Sequence, residues 1–284
     1  EFFFESGEVI ILNEGKRLYS DQGVKVTTSD NIEITADEFD YDKPSLILKL
    51  KGNVIINDIN NKTEIITEKI NYFKSLEEIK SFGETIILVK NEYKIKSENI
   101  VFLRNKKEIY SNTPTSVQDN YNNNFSSENF SFSIKDEIFK GNNVIFKDSI
   151  GNISNFENFF GDLRNKEVYG KSVKYFFMDD AFGNTKNEPR LYGNSLKSNS
   201  NKTEVSKGIF TTCKRRDGCP PWTIKAEKIT HDKNKKIINY KNAWLQVYNK
   251  PIFYFPKFFH PDPTVKRQSG FLIPQFSDSG NAGT

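Results

Sequence analysis

Ala36-Asp37-Glu38-Phe39-Asp40-Tyr41 returns with small changes as Thr67-Glu68-Lys69-Ile70-Asn71-Tyr72, Ser97-Glu98-Asn99-Ile100-Val101-Phe102 and Ser127-Glu128-Asn129-Phe130-Ser131-Phe132. The pattern is a small or polar residue, an acid, any residue, Ile or Phe, any residue, and an aromatic, and successive copies start 31, 30 and 30 residues apart. Looser copies begin at Phe156 and Gly193 and a good one at Ala226, so the period persists almost to the C-terminus. Each start is followed by a polar turn, such as Asp42-Lys43-Pro44 or Arg104-Asn105-Lys106-Lys107. A second apolar run then begins, usually at a glycine: Gly52-Asn53-Val54-Ile55-Ile56, Gly83-Glu84-Thr85-Ile86-Ile87-Leu88, Gly141-Asn142-Asn143-Val144-Ile145-Phe146 and Gly170-Lys171-Ser172-Val173-Lys174-Tyr175. Alternating apolar residues between clusters of Asn, Asp, Gly and Lys are strand signals, so each unit reads as strand, turn, strand. Val9-Ile10-Ile11-Leu12, a turn at Asn13-Glu14-Gly15, and Gly23-Val24-Lys25-Val26 read as one further unit at the N-terminal edge.

Within a unit the apolar residues lie two apart, which puts them on one face of a strand. Thirty residues cannot bury such a face alone, so the units must stack into a quasi-one-dimensional structure with a continuous apolar interior. The expected lining is Phe39, Tyr41, Val54, Ile56, Ile70, Tyr72, Ile86, Leu88, Ile100, Phe102, Phe130, Phe132, Val144, Phe146 and Phe159. A filled core is the ordinary outcome for β-repeats. Large aromatics at the facing positions, with slim Asn-rich turns outside, favour an open trough.

The composition agrees with an all-β chain, since alanine occurs only five times while Phe, Tyr, Ile and Val supply most of the apolar residues. With 41 basic and 37 acidic residues the chain lacks the strongly basic surface of a nucleic-acid binder, and no nucleic-acid partner is expected. No apolar run approaches the roughly 18 residues of a membrane helix. The start at Glu1-Phe2-Phe3-Phe4 has neither an initiator Met nor a targeting pattern, and reads as that of a soluble, processed or trimmed piece.

Chemistry-bearing constellations are scarce. The acids Asp37, Glu68, Glu98 and Glu128 follow the strand period, which suits a structural ladder or a solvated edge better than a catalytic pair. His231 and His260 show no metal or nucleophile spacing and read as surface residues. No phosphate-binding loop occurs. The expectation is therefore no enzyme, no cofactor and no metal. Cys213 and Cys219 leave a local disulfide and a bridge to cysteines elsewhere open, whereas zinc needs about four ligands and only two candidates are near. The basic clusters Lys214-Arg215-Arg216, Lys233 to Lys236 and Lys266-Arg267 read mostly as solvated loops.

The acid-x-Ile/Phe-x-aromatic start and the Gly-Asn-Val second strand resemble the OstA-like domain shared by the lipopolysaccharide transport proteins LptA, LptC and LptD. The C-terminal third is similar to the LptD family pattern: Phe210-Thr211-Thr212-Cys213, Pro220-Pro221-Trp222, Ala243-Trp244-Leu245, Pro251-Ile252-Phe253-Tyr254-Phe255-Pro256, and Lys266-Arg267-Gln268-Ser269-Gly270-Phe271-Leu272-Ile273-Pro274. The resemblance implies an OstA-like β-jellyroll, a V-shaped stack of antiparallel strand pairs in a repetitive superhelix, whose interior holds lipopolysaccharide acyl chains. It implies transport to the cell outer membrane, with this region on the periplasmic side. Its partners would be an LptA-like bridge protein at the N-terminal edge, around Glu8 to Leu18 or Gly23 to Thr28, and an LptE-like lipoprotein on the barrel. It implies a bridging role for Cys213, less firmly for Cys219, and makes Lys266 and Arg267 possible head-group contacts. The corresponding domains are 1–250 for the jellyroll, 251–269 for a Pro-rich connector and 270–284 for the start of a first barrel strand, the barrel itself being absent. The alternatives are a soluble LptA-like bridge subunit and, from another class, a β-helix polysaccharide-active enzyme or adhesin.

Overall fold

The computed structural model describes residues 2–29, 31–178, 187–215, 220–262 and 265, and within them the chain is all-β with a single turn of 3-10 helix at Lys74–Leu76. It divides into two compact units, Glu1–Ser172 and Val173–Thr284, a division that the uniform repeat did not announce.

Short strands open the first unit: β1 (Phe2–Glu5), β2 (Ile10–Leu12), β3 (Arg17–Ser20), β4 (Val24–Thr28), β5 (Ile32–Ala36) and β6 (Glu38–Asp42). Three long ones follow, β7 (Ile47–Asp58), β8 (Thr63–Phe73) and β9 (Glu78–Val89). Short strands return as β10 (Tyr93–Glu98), β11 (Val101–Leu103), β12 (Glu108–Ser111), β13 (Thr115–Asp119), β14 (Asn124–Ser127) and β15 (Asn129–Ser133). Long β16 (Ile138–Lys147), β17 (Ile153–Asp162) and β18 (Glu167–Phe176) close the series.

The pairings sort these strands into two antiparallel ladders that share the long strands. In the first ladder β2 pairs with β3, β3 with β6, and β6 with the front half of β7. In the second, β1 pairs with β4, β4 with β5, and β5 with the back half of β7. Both ladders continue through β8 and β9 and separate again. One runs β9, β11, β12, β15, β16 and the other β9, β10, β13, β14, β16, so these eight strands form a closed circuit. All of these pairings are antiparallel, which a parallel β-helix does not permit.

The turns at the outer end of the first ladder explain the thirty-residue period. Each turn's amide donates to a carbonyl of the turn before it: Lys43 to Lys16, Lys74 to Leu46, Arg104 to Glu77, Ile134 to Lys107 and Leu163 to Glu137, at 2.8–3.0 Å. Leu46, Glu77, Lys107, Glu137 and Lys166 all take positive φ, from 50° to 59°. A turn that ends in a left-handed residue matches the strand twist.

At the opposite end the acid finds a purpose in several of the copies. Where a ladder passes from one half of a long strand to the other, the backbone again turns left-handed, at Asn53, Asn143 and Ser172 (φ 46–52°). The side chains of these residues donate to an acid earlier in the chain: Asn53 Nδ2 to Asp37 Oδ2 at 2.8 Å, Asn143 Nδ2 to Glu128 Oε2 at 2.7 Å, and Ser172 Oγ to Glu157 Oε2 at 2.7 Å. In the second unit Asn242 Nδ2 (φ 49°) reaches Glu227 Oε2 at 2.5 Å. Asp37, Glu128, Glu157 and Glu227 are thus clasps on bends. Asn143→Ala removes both the clasp and a side chain suited to φ > 0, and is expected to cost about 1–2 kcal/mol; Asn143→Gly keeps the backbone comfortable and should lose less than half of that. Urea unfolding midpoints of the two variants check the order.

The second unit holds the end of β18 and then β19 (Arg190–Ser198), β20 (Lys202–Thr211), β21 (Trp222–Asp232), β22 (Ile237–Val247) and β23 (Lys250–Pro261). From β19 to β23 each strand pairs antiparallel with the next. The stretch expected as a connector from Pro251 thus begins as a paired strand; Pro251 sits beside the register shift at Leu245/Gln246, where a ladder tolerates a missing donor. Residues 270–284, read as the start of a barrel strand, lie outside the described residues.

Candidate binding interior

Both ladders of the first unit turn their apolar alternation inward. Of the residues expected to line the interior, Phe39, Val54, Ile56, Ile70, Tyr72, Ile100, Phe102, Phe130, Phe132, Val144 and Phe159 are buried, and Tyr41 and Phe146 are half-buried. Ile86 and Leu88 face the other way. Their neighbours Ile87 and Val89 are buried instead, because two residues of β9, Gly83 and Glu84, oppose Glu68 alone on β8, and this bulge shifts the alternation by one. Thr85-Ile86-Ile87-Leu88-Val89 is apolar on both faces, so its phase was not legible from alternation. Val26, Ile34, Leu48, Leu50, Ile95 and Ile109 are among the further buried residues and follow the same period-two rule that found the others.

The rings meet across the interior. At the N-terminal end Phe4 of the second ladder stacks on Phe39 of the first at 5.1 Å, and Phe2 meets Tyr41 at 5.5 Å and Tyr72 at 5.4 Å. Further along, Phe125 of the second ladder touches Phe139 and Phe159 of the first at 6.4 and 5.5 Å. The interior is therefore closed around these side chains, where composition had favoured an open trough. Large rings reach across the gap that they were expected only to line.

Space remains nearer the turns. Val89 and Tyr93 of the second ladder face Phe132, Ile134 and Leu163 of the first across a cavity of about 340 Å³. Burial, helped by nearby carboxylates, raises the Tyr93 phenol above its ordinary pKa and keeps it neutral. In the first ladder's turns, buried Arg104 donates to Glu77 Oε2 at 2.7 Å and also to the Tyr72 hydroxyl, which itself donates to Glu77 at 2.8 Å. Burial first, then Glu77, pushes the Tyr72 phenol up. This is a satisfied, half-buried charge pair and leaves no group poised for proton transfer.

The N-terminal edge differs from expectation. Gly23–Thr28 is not an edge, because β4 is paired on one side with β1 and on the other with β5. The overlooked signal was the aromatic run Phe2-Phe3-Phe4, whose strand covers it. The edge strand of the first ladder is β2, where Ile10, Ile11 and Leu12 are exposed, Ile11 by 67%.

In the second unit His260 is no surface residue: it is 2% exposed. Its Nδ1–H donates to the Pro261 carbonyl at 2.7 Å, which leaves Nε2 to accept from the Tyr240 hydroxyl at 2.9 Å. Burial outweighs the Pro261 bond and the Asp262 charge and depresses the imidazole pKa. A base with a depressed folded pKa contributes stability that is complete above its unfolded pKa of about 6.5 and is lost as pH falls through the folded value. Melting temperatures are expected to fall between pH 7.5 and 5, and His260→Gln should flatten that slope. His231 pairs with Asp262 at 2.5 Å. Cys213 forms no disulfide among the described residues; it is half-buried, its Sγ 3.8 Å from the Trp222 carbonyl. Cys219, Lys266 and Arg267 lie outside the described residues. Among the described residues no three His, Cys, Asp or Glu side chains cluster as metal ligands.

No known family profile matches the chain. It is 26% identical to the LPS-assembly protein LptD of Francisella tularensis subsp. holarctica (strain OSU18) over 273 residues, which is 91% of this chain and 28% of that protein. With the LptD of Shewanella sp. (strain ANA-3) the identity is 27% over 154 residues, 52% of this chain and 18% of that one. With that of Yersinia pestis bv. Antiqua (strain Antiqua) it is 32% over 88 residues, 31% of this chain and 11% of that one. These relatives are assembly proteins rather than enzymes, in line with the absence of catalytic constellations from the sequence. Nearly the whole chain is thus similar to a stretch making up about a quarter of an LptD-type LPS-assembly protein.

Proposed function

We propose that this chain carries lipopolysaccharide on its way to the outer membrane, holding the lipid A acyl chains between its two ladders and passing them from a periplasmic bridge toward a membrane barrel. The observation that carries the reading is the continuous apolar inner face of the two ladders, in a chain similar over 91% of its length to LPS-assembly proteins. Each buried methylene is worth about 0.8 kcal/mol, so such a lining holds a multi-chain lipid without specific polar contacts. Because neighbouring positions are nearly equivalent, a lipid advances when others arrive behind it. The long strands join the ladders at their bends, whereas side chains alone join the turn ends, so the chains enter by parting the turn ends.

In this reading the region lies on the periplasmic side of the cell outer membrane. The exposed β2 edge receives a strand from an LptA-like bridge protein. An LptE-like lipoprotein accompanies the barrel, Cys213 bridges to it, and Lys266 and Arg267 meet lipid phosphates near its entrance. The test is a photoreactive phenylalanine analogue at Phe102 or Phe130, followed by illumination with lipopolysaccharide. Covalent capture of the lipid is expected at both positions; folded protein that stays unlabelled at both rejects the reading. A lipid-free polysaccharide should label neither.

A further inference from the structure

We propose that Lys90 and Glu137 form a latch across the mouth between the two ladders, one that every passing lipid has to open. The inference rests on the lipid-carrying reading and concerns its regulation. Lys90 stands in the turn between β9 and β10, at the tip of the second ladder; Glu137 stands in the turn between β15 and β16, at the tip of the first. Their side chains meet at 2.7 Å between Nζ and Oε1. Other ion pairs of this unit stay within a ladder: Arg17–Asp40, Lys51–Glu38 and Arg164–Glu137 in the first, Lys25–Glu33 in the second. The Lys90–Glu137 pair spans the gap.

Both ends of the bridge are anchored. The Lys90 amide donates to the Lys62 carbonyl at 2.7 Å, and the Leu163 amide donates to the Glu137 carbonyl at 2.9 Å, so each residue belongs to a stitched row of turns. Beneath the bridge lies the cavity between Tyr93 and Phe132, about 340 Å³. An engineered apolar cavity of about 150 Å³ accommodates benzene, so this one has room for a length of hydrocarbon chain.

A lipid whose chains lie inside and whose sugar head stays outside cannot move along the mouth without crossing any bridge that spans it. The bridge must therefore break. Its construction allows that, because the two side chains are 38% and 24% exposed and an ion pair so placed holds weakly and less so in salt. Glu137 also has a second cation at hand, Arg164 Nε at 3.8 Å, which keeps the carboxylate paired when Lys90 swings away. The freed ammonium is then available to an anionic head group.

The test uses the whole chain with purified lipopolysaccharide and the photoreactive analogue at Phe132 near the mouth or at Phe102 deep inside. In Lys90→Cys/Glu137→Cys joined by a bifunctional maleimide, capture at Phe132 should fall several-fold relative to the same protein left unjoined. Lys90→Glu should raise the rate of capture, and adding Glu137→Lys should return it to the parent value; a merely structural pair would not give this reversal. Melting temperatures verify that the joined protein is folded. Equal capture in joined and unjoined proteins overturns the latch while leaving the transport reading intact. Capture at neither position in the unjoined protein overturns that reading, and the latch with it.

Discussion

Phe39→Ala is expected to destabilise the first unit by about 3–5 kcal/mol, in the upper part of the range for single substitutions. The ring is 1% exposed, sits between Ser20 and Leu50 in the ladder, and stacks on Phe4 of the opposing ladder. Its removal loses the transfer free energy of the ring and leaves a void that the flanking strands cannot close, since ladder hydrogen bonds fix their spacing. For a unit of this size the loss corresponds to a fall in Tm of roughly 6–20 °C. Phe39→Leu fills most of the space and should cost less than half as much. If thermal melts of the two variants coincide, the void contributes nothing and the flanking strands do close around the missing ring.

Gly52→Ala is the second large effect, expected at about 2–4 kcal/mol from two separable causes. The residue has φ +77°, where any side chain is strained, and an added Cβ would lie 2.5 Å from Asp37 Oδ2, with Asp37 Cβ and Cγ also within 3 Å. Asp37 is the acid that clasps Asn53, so pushing it aside also breaks the bend. Gly83 provides the control. It has nearly the same φ, +82°, but an added Cβ meets nothing within 4 Å, so Gly83→Ala should show the backbone cost alone, about 1–2 kcal/mol. Urea denaturation of both variants measures the difference. Equal destabilisation would mean that the Asp37 contact relaxes freely and the clasp is dispensable.

Much of the first unit was legible because its rules are local. The acid-x-Phe-x-aromatic starts gave the strands, the polar turns gave the hairpins, and period-two alternation named Phe39, Tyr72, Phe102 and Phe132 as interior residues, all of which are buried. What failed did so where locality ends. Ile86 and Leu88 were misplaced because a bulge changes the phase of a strand that is apolar on both faces. His260, among prolines, read as a surface residue, and it is buried where β23 pairs with β22 and brings it to Tyr240. Gly23–Thr28 looked like an edge because nothing in its own residues signals that Phe2–Glu5 pairs with it.

By itself the sequence determined that this is a repetitive antiparallel β-protein with one apolar face per unit, because alternation and turn chemistry act over neighbouring residues and leave their mark in every copy. Only the tertiary structure decided that the repeat splits into two facing ladders, that Asp37, Glu128 and Glu157 clasp left-handed bends, and that Lys90 meets Glu137 across the mouth. Those facts depend on residues 15 to 47 positions apart being brought within hydrogen-bonding distance, and no local pattern encodes which distant partner arrives.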